Sequence, residues 1–249
     1  MIQRLPLRHS SKAAAMMTAC ALLMISGCQP GRAESASDTN NGGAKALPSI
    51  TTHAAPVATD DAAATDARPV IACFGDSLTA GYGVDVESSY PADLQRDLDS
   101  AGYRYRVVNM GISGETTKDG LARVDRVLAM KPAVVVVEFG GNDGLRGVPV
   151  ASSRSNLDSI VSKLQNSGTQ VAMAGITLPP QYSQPYIKSF NETYTVLAKK
   201  HKVPLLPFVL QGVYGVPGSI QQDGIHPTAQ GCKQVSRNIF GLIKPLLKK

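Results

Sequence analysis

Short apolar runs rich in β-branched residues recur about every 25 to 40 positions along most of the chain, at residues 70–74, 105–110, 133–139, 170–176 and 203–208. Between and after them, apolar side chains fall at helical spacing, over residues 91–101, 117–130, 154–166, 184–201 and 228–247. Residues 133–137 are apolar without alternation, as befits a strand covered on both faces. Strands alternating with helices of this length predict parallel βαβ units. They add up to a three-layer α/β/α sandwich on a five-stranded parallel sheet of flavodoxin-like type. In such a sheet every strand ends on the same edge, so the loops after residues 74, 110, 139, 176 and 208 converge there.

The first third of the chain breaks this pattern. Arg4, Arg8 and Lys12 precede an apolar run over residues 13–25, too short to span a bilayer but suited to the core of a secretion signal. The run ends in Ile25-Ser26-Gly27-Cys28, which resembles a bacterial lipobox. Residues 1–27 are therefore expected to be a lipoprotein signal peptide and Cys28 the lipidated residue, with a plain signal peptide or an uncleaved anchor as alternatives. Gln29, in place of Asp, favours the outer membrane. The expected location is thus the cell envelope, with the membrane reached through an N-terminal lipid. Residues 28–68 are rich in Ala, Thr, Ser, Asp and Asn; they bury too little to fold and read as a disordered tether. Residues 69–249 form the folded domain, expected as a monomer.

Charge adds little. The chain carries 25 Lys and Arg against 19 Asp and Glu, a net +6 spread along its length, and no nucleic-acid partner is indicated. The domain keeps two cysteines, Cys73 in a buried strand and Cys232, with no disulfide expected between them. No spacing of Cys and His suggests a metal site, and no cofactor is called for.

The unusual residues cluster in the converging loops. Residues 74–83 read Phe-Gly-Asp-Ser-Leu-Thr-Ala-Gly-Tyr-Gly, which puts Ser77 in the first turn past a strand, with Gly75 giving the backbone freedom to turn. Residues 109–117 hold Gly111, Ser113 and Gly114, a candidate for backbone N–H groups facing a ligand or simply for a helix entry. Residues 138–147 place Asn142 among glycines, where its amide can donate to a developing oxyanion or merely hold a turn. Residues 222–228 place Asp223 three positions before His226, within one tight turn at Gly224. The carboxylate can there orient an imidazole, or else cap a helix that Pro227 begins. The other domain histidine, His201, sits among lysines at a helix end and is expected to be exposed. A nucleophile, a base, an orienting acid and oxyanion donors thus meet at one sheet edge.

Gly-Asp-Ser-Leu, the Ser-Gly block, Gly-Gly-Asn-Asp and Asp-Gly-Ile-His, in this order, resemble the four blocks of the SGNH (GDSL) hydrolases. The likeness is strongest to the thioesterase I/lysophospholipase L1 and arylesterase branch. The resemblance covers nearly all of residues 70–247 and implies the SGNH hydrolase fold. It implies Ser77 as nucleophile, His226 as base and Asp223 as orienting acid. The Ser77 N–H, the Gly114 N–H and the Asn142 side chain would form the oxyanion hole, Gly111 being the competitor for the second donor. It also implies a serine esterase acting on aryl esters, lysophospholipids or acyl-thioesters, without metal or cofactor. Residues 144–147 and 178–182 would shape an apolar groove, with Arg146 as a candidate phosphate contact. A polysaccharide deacetylase of the same family and a non-catalytic envelope binding protein are the alternatives. The Gly-x-Ser-x-Gly elbow of α/β-hydrolases is absent.

Overall fold

Five parallel strands form from the apolar runs: β1 Val70–Gly75, β2 Arg106–Gly111, β3 Val134–Glu138, β4 Gln170–Ala174 and β5 Leu205–Leu206. They are described by a computed structural model covering residues 66–249. The expected signal peptide, Cys28 and nearly all of the expected tether lie outside the described residues. The strand order is β2-β1-β3-β4-β5. β1 is an interior strand, with Cys73 registered between Asn109 of β2 and Val136 of β3. Val134 to Val137 are at most 1% exposed. Removing each such side chain from water contributes about 1.5–3 kcal/mol.

The helices are α1 Ser77–Ala80, α2 Tyr90–Ser100, α3 Thr117–Ala129, α4 Gly141–Leu145, α5 Val150–Asn166, α6 Gln184–His201 and α7 Ala229–Ile243. Right-handed crossovers place them. The chain moves one way from β1 to β2 and the other way from β2 through β5, so α2 lies on one face and α3, α5 and α6 on the other. Packing agrees: α2 lies against α7, while α3, α5 and α6 pack in series. The reversal of direction opens a crevice at the carboxyl ends of β1 and β3, the usual ligand position in such sheets.

Several element ends differ from the sequence pattern, each for a local reason. β5 shrinks to two residues because Pro204 and Pro207 flank it and have no N–H to give the ladder. α7 starts at Ala229, not residue 228, because Thr228 is its cap and accepts from Gly231 N–H at 3.3 Å. Pro227 therefore does not open the helix; it pairs with Ile220 in an isolated antiparallel bridge. α5 begins four residues early, at Val150, directly after Pro149. α1 and α4 are too short for any periodicity to show. His201 is not exposed: its side chain is 8% accessible, with Nε2 2.6 Å from Asp158 and Nδ1 3.0 Å from Gln165 of α5. The lysine-rich helix end does reach solvent, but the imidazole turns inward from it. Cys73 and Cys232 are free and buried, and burial pushes their thiols up to about 12 and about 11, away from reactive thiolate.

Candidate active site

The Ser77 turn is set by space rather than by a special backbone angle. A side chain on Gly75 would meet Thr79 Oγ1 at 2.2 Å and the Glu138 carbonyl at 2.5 Å. Glycine is thus required there because the Glu138 backbone, the Glu138 carboxyl and a threonine converge on it, not for the turning freedom its position in the sequence suggests. Asp76 then caps α1, its Oδ1 accepting from Leu78 N–H at 3.1 Å. Ser77 becomes the first residue of α1. Its own N–H has no hydrogen-bond partner among the described residues, so this donor is available at a helix start.

Gly111 and Gly114 have separate tasks. A Cβ on Gly111 would lie 2.2 Å from Ala80 N, and its N–H donates to Asn109 Oδ1 at 2.9 Å. It lets α1 pack on β2 and has no donor to spare. Gly114, with φ of +84°, lines the cleft beside Ser77, and its N–H has no partner among the described residues.

His226 is delivered by the last loop. Gln221 N–H donates to the His226 carbonyl at 2.8 Å, and Gly224, at φ of +73°, turns the chain between them. Asp223 uses both oxygens. Oδ1 accepts from the N–H groups of Ile225 and His226 at 2.9 and 3.0 Å, and Oδ2 accepts from His226 Nδ1 at 2.6 Å. Partial burial works against the Asp223 charge, but these bonds outweigh it and hold the carboxyl below its ordinary range. With Nδ1 donating to Asp223, Nε2 is left to accept from Ser77 Oγ, 2.8 Å away. The Tyr82 ring lies against the imidazole, centroids 4.6 Å apart.

Asn142, in the first turn of α4, donates through Nδ2 to the Glu115 carbonyl at 2.9 Å and approaches Asp76 Oδ2 at 3.3 Å. Glu115 is held in turn by Arg123, whose Nε donates to its Oε2 at 2.6 Å. A second Arg123 nitrogen donates to the Gly75 carbonyl at 3.1 Å. This buried guanidinium, stacked 4.6 Å over the Phe74 ring, links the serine and asparagine loops. Arg146, the candidate phosphate contact, donates to the Gly114 carbonyl at 2.8 Å.

Two buried acids lie beneath Ser77. Burial pushes Asp76 up to about 6. Burial, then the nearby Asp76 charge, pushes Glu138 well above its ordinary value; it accepts from Thr79 Oγ1 at 2.9 Å through one oxygen, and the other has no partner among the described residues. In the unfolded chain Glu138 ionises from about pH 4.5, whereas in the fold it keeps its proton well past that. The unfolded state then binds fewer protons, so stability falls as pH rises through this window. Asp76 acts in the same sense between its ordinary value and about 6. Glu138→Gln should therefore lose less stability than the wild type between about pH 5 and pH 8. Urea midpoints at both pH values read this directly; equal losses in the two proteins would refute it.

Ser77, His226 and Asn142 line one end of a cavity of about 570 Å³, whose remaining wall includes Leu145, Ile176, Leu178, Ile187, Phe208 and Leu210. Both segments expected to shape the groove contribute, through Leu145 and Leu178. Of the residues predicted from sequence, Ser77, Gly114, Asn142 and His226 reach this cavity and Asp223 touches His226, whereas Gly111 and Arg146 do not line it. Sequence reading did not single out Arg123, Glu138, Asp76 or Gln221. All four act at least in part through contacts between distant segments. Although Asp76 and Glu138 lie within the blocks at residues 74–83 and 138–147, nothing local reveals those partners.

A parallel α/β sandwich with a Ser-His-Asp chain at its carboxyl edge, on a turn other than Gly-x-Ser-x-Gly, defines a serine hydrolase distinct from the α/β-hydrolases. Comparison with known proteins agrees. The profile of the GDSL-like Lipase/Acylhydrolase family matches residues 73–234, and the chain belongs to that family. It is 44% identical over 182 residues to Esterase TesA of Pseudomonas aeruginosa, covering 73% of this chain and 90% of the relative. It is 40% identical over 182 residues to Thioesterase 1/protease 1/lysophospholipase L1 of Escherichia coli, covering 73% and 86%. A crystal structure of TesA superposes with a TM-score of 0.69 at 45% identity, over 72% of this chain and 99% of that one. The protein is an enzyme that hydrolyses ester bonds.

Proposed function

We propose that the enzyme cleaves carboxylic esters and acyl-thioesters of medium-length acyl groups by way of an acyl-enzyme on Ser77. The observation that carries this reading is the Ser77–His226–Asp223 hydrogen-bond chain opening onto an apolar cleft. His226 Nε2 takes the hydroxyl proton as Oγ attacks the acyl carbonyl. Negative charge develops on the carbonyl oxygen, where the Ser77 N–H and Gly114 N–H donate and Asn142 Nδ2 joins them by exchanging its long 3.3 Å bond to Asp76 Oδ2 for one to the oxyanion. Collapse breaks the bond to the alcohol or thiol, which leaves with the proton from His226. Water, activated by the same imidazole, then releases the acid and restores Ser77.

The substrate class follows from the cleft wall. An acyl chain lying along Leu145, Ile176 and Leu178 leaves water at about 0.8 kcal/mol per methylene, up to about fourfold in kcat/KM for each. A series of p-nitrophenyl esters from acetate upward should show kcat/KM climbing with chain length before it levels off. Fastest turnover on acetate would instead favour a small-acyl deacetylase. The relatives named for esterase, thioesterase and lysophospholipase activity support the same class.

The Ile25-Ser26-Gly27-Cys28 pattern supports anchorage in the cell envelope through lipid on Cys28. Growth with an alkyne fatty acid should tag the wild-type chain and not Cys28→Ser. Equal tagging of both would reject that anchorage.

A further inference from the structure

Ser77 and His226 stand 149 residues apart on separate loops, and the Ser77–His226 bond joining them must break in every turnover. We propose that Gln221 is a positioning residue that holds the two loops in register while that bond is absent. The inference rests on the assignment of Ser77 as nucleophile and His226 as base.

The Gln221 side chain spends both amide hydrogens on carbonyls. Nε2 donates to Tyr82 O at 2.7 Å and to Pro227 O at 2.9 Å. Its backbone N–H donates to the carbonyl of His226 itself at 2.8 Å. Tyr82 is bound to the nucleophile turn, since its N–H donates to the Ser77 carbonyl at 3.0 Å. A closed path of hydrogen bonds therefore runs from Ser77 through Tyr82 and Gln221 to His226. Among the described residues, hydrogen bonds between residues 76–89 and 219–228 are two: Ser77 with His226, and Gln221 with Tyr82. The fit is tight, for a Cβ on Gly83 would lie 2.2 Å from Gln221 Oε1. The Tyr82 ring, seated by this anchor, lies against the imidazole.

The consequence falls on the second half of the reaction. In the acyl-enzyme, Ser77 Oγ is an ester oxygen with no hydrogen to donate, so the Ser77–His226 bond is gone. Imidazole must still direct a water molecule onto the acyl carbon. Water loses a proton to Nε2 as its oxygen bonds to that carbon; the carbon–Oγ bond then breaks and Oγ takes the proton back. In this interval Gln221 supplies the remaining hydrogen bond between the loops. A misplacement of about 1 Å costs on the order of 10²-fold in rate, so losing the anchor should slow deacylation more than acylation.

The test is stopped-flow turnover of p-nitrophenyl butyrate by Gln221→Ala and by Gln221→Glu, the second matching Gln in shape but presenting oxygens to two carbonyls. Expected are a kcat lower by about 10- to 100-fold, a KM lower in the same direction, and a p-nitrophenol burst of about one equivalent per enzyme. Butyryl should accumulate on the Ser77 peptide by mass spectrometry, at an unfolding temperature close to wild type. An unchanged kcat overturns the proposal, as does a fall in kcat without a burst, or loss of folding in both variants. Butyryl on a residue other than Ser77 would instead overturn the active-site assignment beneath it.

Discussion

Ser77→Ala is expected to lower kcat on a p-nitrophenyl ester by about 10⁶-fold with little change in thermal stability. The size follows from what is lost. Without Oγ there is no covalent intermediate, and His226 has no hydroxyl to deprotonate. A residual rate above that of water should persist, because the Ser77 and Gly114 N–H groups and the Asn142 amide remain to polarise a bound carbonyl. Stability should hold because Oγ meets only His226, while the Ser77 carbonyl, which accepts from Gly81 and Tyr82, is untouched. Steady-state kinetics beside a thermal melt decide it. A rate within about tenfold of wild type would show that another nucleophile does the chemistry.

Asp223→Asn should cost about 10⁴-fold in kcat through the tautomer of His226. The asparagine oxygen can still accept from the Ile225 and His226 N–H groups, so the loop keeps its shape. The amide placed where Oδ2 stood would instead donate to Nδ1. The neutral imidazole then carries its hydrogen on Nε2, facing Ser77 with a donor where an acceptor is needed. KM should change little, since Asp223 is not on the cleft wall. A variant retaining more than about one tenth of the activity would leave Asp223 as a loop brace and nothing more.

Much of this was readable before any coordinates. The unalternating valines of β3 and the spacing of apolar runs define a parallel sheet, since a strand buried on both faces leaves no polar period. Parallel strands force Ser77, Gly114 and Asn142 to one edge, and Asp223 and His226 need only a single glycine turn. Illegible were the features made by contacts between segments. The length of β5 was not among these: Pro204 and Pro207, visible in the sequence, cut it to Leu205–Leu206 although the apolar run continues past both. His201 looks exposed in a lysine-rich string, yet Asp158, more than forty residues away, draws it inward. Nothing in the local pattern around Arg123 or Glu138 points to their roles. Their partners, the Gly75 carbonyl and Thr79, belong to the Ser77 turn. Sequence pattern reports what a residue is and where its element faces; it does not report which distant atom lies opposite.

The central claim is that Ser77 Oγ is the atom that attacks, with His226 drawing off its proton. Reaction with a fluorophosphonate, followed by peptide mass spectrometry, measures this directly. One adduct per chain on the peptide containing Ser77, formed at a strongly reduced rate in His226→Ala, is the predicted result. An adduct on another residue, or labelling of Ser77 at full rate without the imidazole, would contradict it.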